Sequence, residues 1–511
     1  MPPTPTYDLC VYGDSPSAIA AATQGGRMGV RTVLTVPGNH VGGILVNGLG
    51  SNDLDNHNFK NSVAVGGIAR EFYQRIADFY GGGLGYRFEP HVAESIFLSL
   101  LEEAGVDILF DRRLRENGGV TMHQHRITAI HFENGASILA RQFIDGTVEG
   151  DLMAFAGVRY TYGREGNAAY DETLNGVVHH SNYRQFTVKV DPYIEAGNPD
   201  SGLIASVQAE PLAENGSGDR ASMAFCFRIC LTCNSQIRIP IPQPDNYQAE
   251  QYEIYRRYFA AGAGDNFFAP DARIPNQKSD IGSWHDLSAN LYGYSHGWPD
   301  GNYAERESIY QRHRDFTIGL IWFLQNDPSV PICIRQKWAN WGLPADEFQD
   351  NGHWPHQLYV RNGRRMLSDW IITEADLTQG NPKVAEDPVA LAFWPPDMHH
   401  ARRIVKDGQV WNEGFVFGSD IQWRPFGISY RAIRPKANEC TNLLVPSALS
   451  SSYVGYGAVR LEWTFMVLGQ SAATAAVIAL RTKDTVQNIS YEQLREQLLV
   501  DGQILENIQT E

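Results

Sequence analysis

Six cysteines in 511 residues are too few for a disulfide-stapled scaffold. Cys226, Cys230 and Cys233 stand in a C-x3-C-x2-C pattern, but the alternating, β-branched run around them reads as a strand. That would set Cys226 and Cys230 on one face and Cys233 on the other, so buried thiols are expected and no metal. Long apolar runs are scarce too. The uncharged stretch over residues 464–480 contains Gln470, Ser471 and Thr474 and reads as a buried helix rather than a membrane span. Basic clusters are missing, and 58 acidic against 42 basic side chains leave a net charge of −16, which argues against nucleic acid and anionic membranes as partners. No charged segment followed by an apolar core opens the chain, so no signal peptide is visible and a cytoplasmic location is expected. There is no G-x-S-x-G elbow, no H-E-x-x-H helix and no Gly-Lys-Ser/Thr of a P-loop.

What the chain does have stands at its start. Tyr7-Asp8-Leu9-Cys10-Val11-Tyr12 is a strand-like apolar run that breaks at Gly13-Asp14-Ser15-Pro16-Ser17-Ala18. A small-residue helix follows to about Gly29, then a second strand over 31–36. This β-turn-α-β unit of about thirty residues is the length of a dinucleotide-binding crossover. It sets an anion site at a helix N-terminus, where free N–H groups and the helix dipole favour phosphate. Against G-x-G-x-x-G, only Gly13 is glycine; Ser15 and Ala18 fill the second and third places. Gly13 suits the tight turn and Ala18 is small enough for helix–strand packing, while the Cβ of Ser15 crowds a pyrophosphate. Val36 stands where an acid would hold a ribose hydroxyl.

The remaining patterns divide the chain. Residues 1–170 continue as α/β: a glycine-rich loop through 42–53, amphipathic helices over 68–80 and from His91, and strands over 106–110, within 120–132 and over 138–145. Residues 171–395 are rich in aromatics, Pro and Asn, with one long helix over 305–325 stopped by Asn326-Asp327-Pro328. They read as an inserted α+β substrate domain. Residues 396–511 return to α/β, with a strand over 442–446, a loop at Ser450-Ser451-Ser452 and Gly455-Tyr456-Gly457, and a slim helix over 462–480. The fold class is therefore α/β, with a Rossmann-like nucleotide-binding domain split around the insertion.

Five ordered segments give the chain a family resemblance: residues 12–50, with Pro37-Gly38-Asn39-His40-Val41-Gly42-Gly43; 143–154, with Asp145-Gly146-Thr147; 338–354; 354–361; and 440–476. Together they resemble the FAD-dependent oxidoreductases of the xanthan-lyase-like kind, which carry the flavin fold of the glutathione-reductase type. The resemblance covers nearly the whole chain and implies FAD as cofactor. It places Gly13, Ser15, Pro16 and Ala18 along the pyrophosphate and His40, Gly42 and Gly43 on the flavin side. Asp145 and Gly146 fall on the strand returning under the cofactor, and Gly457, Arg460, Gly469 and Gln470 near the isoalloxazine. The chain departs from the family pattern at Ala18, at Val36, and at Tyr453, where histidine is common. Losing the acid at Val36 removes a charge-assisted hydrogen bond of ~1.5–3 kcal/mol.

For the chemistry, Asp397-Met398-His399-His400 follows Phe393-Trp394-Pro395-Pro396 on a loop. His399, oriented by Asp397, is the expected base, and the resemblance includes an Asp-x-His at this place. Tyr430 is a second candidate, as a donor to a substrate oxygen. His296, in an aromatic loop, and Arg335 and Arg361, in family-like segments, are candidate substrate contacts. The first reading is an oxidoreductase moving a hydride from a small carbohydrate, aromatic or cyclic substrate to flavin N5. The alternatives are a non-redox isomerisation, cyclisation or elimination on the flavin fold, and a non-catalytic carbohydrate-binding protein.

Overall fold

Leu9 and Val11 of the first strand, β1 (Thr6–Tyr12), point into one apolar core, and Cys10 and Tyr12 into another. A strand buried on both faces belongs at the centre of a covered sheet. In the computed structural model, which describes residues 6–56, 60–180, 183–264, 267–283 and 285–506, β1 lies there. It pairs in parallel with β2 (Thr32–Thr35) on one side. On the other lies the last of the strands β3 (Asp107–Leu109), β4 (Val120–His123), β5 (Arg126–His131) and β6 (Ser137–Asp145). The order is β3-β2-β1-β6-β5-β4, with β5 and β4 antiparallel and the strand Leu443–Leu444 parallel to β6.

Three helices set the geometry: α1 (Pro16–Arg27), α2 (Gly67–Phe79) and α3 (Pro90–Glu103). Ser15 caps α1, accepting from the Ala18 N–H (3.4 Å) and donating to the Gly146 carbonyl (2.5 Å). The long helix Glu462–Thr482 crosses α1, buried from Glu462 to Leu480. A Cβ on Gly469 would lie 2.1 Å from the Ser17 carbonyl oxygen, so this crossing is closer than any side chain permits. That helix is long and apolar enough to span a membrane, but here it is a core helix.

The second apolar core draws on residues 190–358 together with Val410, around the helix Tyr303–Asn326. Asn302 and Glu305 cap that helix reciprocally, each side chain accepting from the other's backbone N–H. Ile372, Leu377, Val389 and Trp394 belong to the first core, so the cores divide before residue 395. Two local readings change. Residues 453–459, expected as a glycine loop, form the helix Tyr453–Val459, capped by Ser452. The Cys226 stretch makes isolated bridges rather than a strand, and Cys226 receives Arg361 Nη2 at 3.2 Å.

Candidate active site

A cavity of about 520 Å³ opens at the N-terminus of α1. Ser15 and Pro16 form one edge; residues 37–40 and Gly43, 147–149 and 357–361 form the walls. Gly13 makes the turn at φ +130°, and a Cβ there would lie 2.7 Å from the Gly146 backbone. Gly43 sits at φ +53°, where a Cβ would come within 3.1 Å of Ser15 Cα and Pro16 Cδ. The Gly42 N–H donates to the Asp14 carbonyl at 2.7 Å.

Charges of both signs line this cavity. Arg113, Arg306, Arg361 and Arg460 contribute guanidinium groups. His40 bonds Glu94 through Nδ1 (3.0 Å) and Asp350 through Nε2 (2.9 Å), which pushes it up to about 9. Asp14 is bonded by Gln357 Nε2; burial, with Glu149 nearby, pushes its carboxyl up to about 6. The Tyr456 hydroxyl is buried on the cavity wall, without a hydrogen-bond partner among the described residues.

A second cavity of about 230 Å³ adjoins the first, since Tyr359, Arg460 and Glu462 line both. Its aromatic walls are Tyr183, Trp394, Phe415, Phe417 and Trp463. Its polar lining includes Asn52, Asp53, Arg184, Arg228, Asp397 and His399. Arg460 holds Asp397 at 2.7 Å and donates from Nη1 to Tyr359 Oη at 3.1 Å. Glu462 stands at the first position of the long helix, pushed up to about 7 by burial.

The expected residues separate by place. Ser15, Pro16, His40, Gly43, Arg361 and Arg460 line the larger cavity, and Asp397 and His399 the smaller. Gly13, Ala18, Gly42, Asp145 and Gly146 support the first wall from behind: the Gly146 Cβ position is 2.5 Å from Ala18 Cβ, and Asp145 accepts from Thr147 and Met153. Gly457 lets the Asp397 loop approach, since a Cβ there would meet Asp397 N at 3.0 Å.

Others lie elsewhere. Gln470 accepts the Ile68 N–H at 2.8 Å and, like Gly469, lines neither cavity. Tyr430 is a core tyrosine whose hydroxyl donates to the Val486 carbonyl at 2.6 Å. His296 accepts the Ser222 N–H at 3.1 Å and is pushed down to about 4 by burial; Arg335 is half-buried on the helix Ile332–Ala339. Neither lines either of these two cavities. The expected His399–Asp397 dyad is loose, at 3.6 Å, because Asp397 serves Arg460. Burial, with Arg361, Arg460 and Arg184 nearby, keeps His399 neutral far below its ordinary range. Tyr359, Tyr456 and Glu462 escaped the sequence reading, and no local pattern marks them.

A family model described as "FAD dependent oxidoreductase" matches residues 8–498. No curated protein matches the chain. Among solved structures, L-proline dehydrogenase from P. horikoshii is 12% identical over 32% of this chain and 59% of its own, with a TM-score of 0.26. NikD, an amino acid oxidase of nikkomycin biosynthesis, is 13% identical over 32% of this chain and 57% of its own, at 0.23. The L-amino acid deaminase from Proteus vulgaris is 14% identical over 32% and 54%, at 0.22. The chain thus spans little more than half the length of each of these structures.

Proposed function

Because the chain belongs to the family of FAD-dependent oxidoreductases, we propose that it oxidises a small carbohydrate or cyclic organic substrate held in the smaller cavity, beside FAD in the larger one. The observation that carries this reading is the shared wall: Tyr359, Arg460 and Glu462 face both spaces.

The larger cavity suits FAD. Its edge is a helix N-terminus with no acid in the first turn, which favours a pyrophosphate. Gly43 leaves room beside Ser15 and Pro16, the arginines supply countercharge, and the orphaned Tyr456 hydroxyl offers a hydrogen bond to a polar group. When bound, FAD supplies a two-electron acceptor for a substrate hydride.

The protein's own part is to hold, orient and dry the substrate. The aromatic walls present flat apolar faces to a ring. His399, neutral and 8% exposed, hydrogen-bonds a substrate hydroxyl. Asp397 fixes Arg460 at the junction.

The test is anaerobic. Purified holoenzyme is mixed with a panel of aldoses, cyclic polyols and aromatic alcohols, and the flavin absorption is followed. Bleaching by at least one class, with KM raised in His399→Ala, supports the reading. A folded protein that releases no flavin on denaturation, or a flavin that no panel compound bleaches, overturns it.

A further inference from the structure

Glu462 is 4% exposed and lines both cavities. Among the described residues no other side chain or backbone group gives it a hydrogen bond or ion pair; its only donor is its own backbone N–H. A buried carboxylate without a partner is costly and calls for a reason. The nearby cations are already committed. Arg460 gives Nη2 and Nε to Asp397 and Nη1 to Tyr359. Arg228 bonds Asp280. Asp53 opposes Glu462 from the smaller cavity, and the phenols of Tyr359 and Tyr73 also face it.

We propose that Glu462 accepts the proton a substrate releases as its carbon is oxidised at the junction of the two cavities. The inference rests on the reading that substrate fills the smaller cavity. In an alcohol, the C–H bond breaks and its electron pair leaves as hydride to the bound FAD. The hydroxyl O–H bond breaks at the same carbon, its electrons form the C=O bond, and its proton passes to a Glu462 oxygen. A base works best when its proton affinity lies near the working pH. Burial sets Glu462 at about 7, whereas His399 is held far below. The closed surroundings that depress His399 are the ones that raise Glu462, since burial disfavours whichever form carries charge.

Two measurements test this. The first needs no substrate: the visible spectrum of oxidised holoenzyme is titrated between pH 5 and 9. A one-proton shift near neutrality is expected in the wild type and in Asp14→Asn, which removes another raised carboxyl of the larger cavity, and not in Glu462→Gln. Glu462→Asp keeps a titration at a moved midpoint and guards against a misfolded Gln variant. The second is single-turnover flavin reduction by the panel compound that bleaches the wild type. Glu462→Gln should slow it by about 10²–10⁴ and flatten its pH profile, with flavin content and substrate affinity little changed. A titration that persists in Glu462→Gln, or wild-type reduction rates in that variant, overturns the proposal. If no panel compound reduces the wild type, only the substrate reading falls, because the spectral titration is read without substrate.

Discussion

Arg460 grips Asp397 twice, through Nη2 to the carboxylate at 2.7 Å and through Nε to the backbone carbonyl at 3.1 Å. Both residues are buried. The pair fastens the loop carrying His399 to the segment that leads into the long C-terminal helix, and so joins the two cavities mechanically.

Breaking that pair should be expensive. Asp397→Ala leaves a buried guanidinium with Tyr359 as its remaining side-chain partner, and removing one partner of a buried ion pair costs about 3–5 kcal/mol. Denaturant unfolding of the variant should show a loss of that order. A loss below 1 kcal/mol would mean the pair contributes little to the fold.

Gly13→Ala tests the turn. The new Cβ would stand 2.7 Å from the Gly146 carbonyl carbon at φ +130°, a region costing ~1–3 kcal/mol for a non-glycine residue before any clash. Flavin content per chain and Tm should both fall. Full flavin occupancy at wild-type Tm would show that the loop relaxes.

Val36→Glu is expected to weaken the protein rather than tighten its cofactor. Val36 is fully buried in the first core and lies outside both cavities; its backbone bonds Leu109 and Arg112. An unpaired carboxylate there belongs with the severe destabilisations, about 3–5 kcal/mol. Tighter FAD binding by isothermal titration of the apoprotein would restore the ribose role.

Asp14 gives a pH signature. Its folded-state pKa of about 6 exceeds the ordinary 3.8, so the folded protein binds this proton more tightly than the unfolded chain does. The proton's contribution is fully present below pH 4 and is lost as pH rises through 6. Asp14→Asn, which keeps an acceptor for Gln357, should therefore raise stability at pH 7.5 by about 3 kcal/mol, at roughly 1.4 kcal/mol per pKa unit. At pH 4 the two proteins should differ little. Parallel stability curves across this range would exclude Asp14 as the titrating group.

What the sequence alone determined is what depends on neighbours along the chain. The strand–turn–helix–strand start followed from an apolar run of strand-like residues, a glycine and a run of alanines, although α1 begins at Pro16, inside the stretch read as the turn. Ordered motif segments carried the family and its cofactor, and the match over residues 8–498 agrees. The helix Tyr453–Val459 was lost to its glycines: propensity counts each Gly against a helix, whereas Gly455 and Gly457 are there because Ile372 and Asp397 pack within 3.0 Å of where a Cβ would be. Only the tertiary structure decided the chemistry of the site. Asp397 and His399 are two residues apart, yet the carboxylate answers to Arg460, 63 residues on. Glu462 reads along the chain as an ordinary acid at a helix start. It becomes a buried carboxylate with no partner among the described residues because the Gly469–Ser17 crossing sets its helix between two cavities, and burial, not sequence position, fixes how tightly a carboxylate holds its proton.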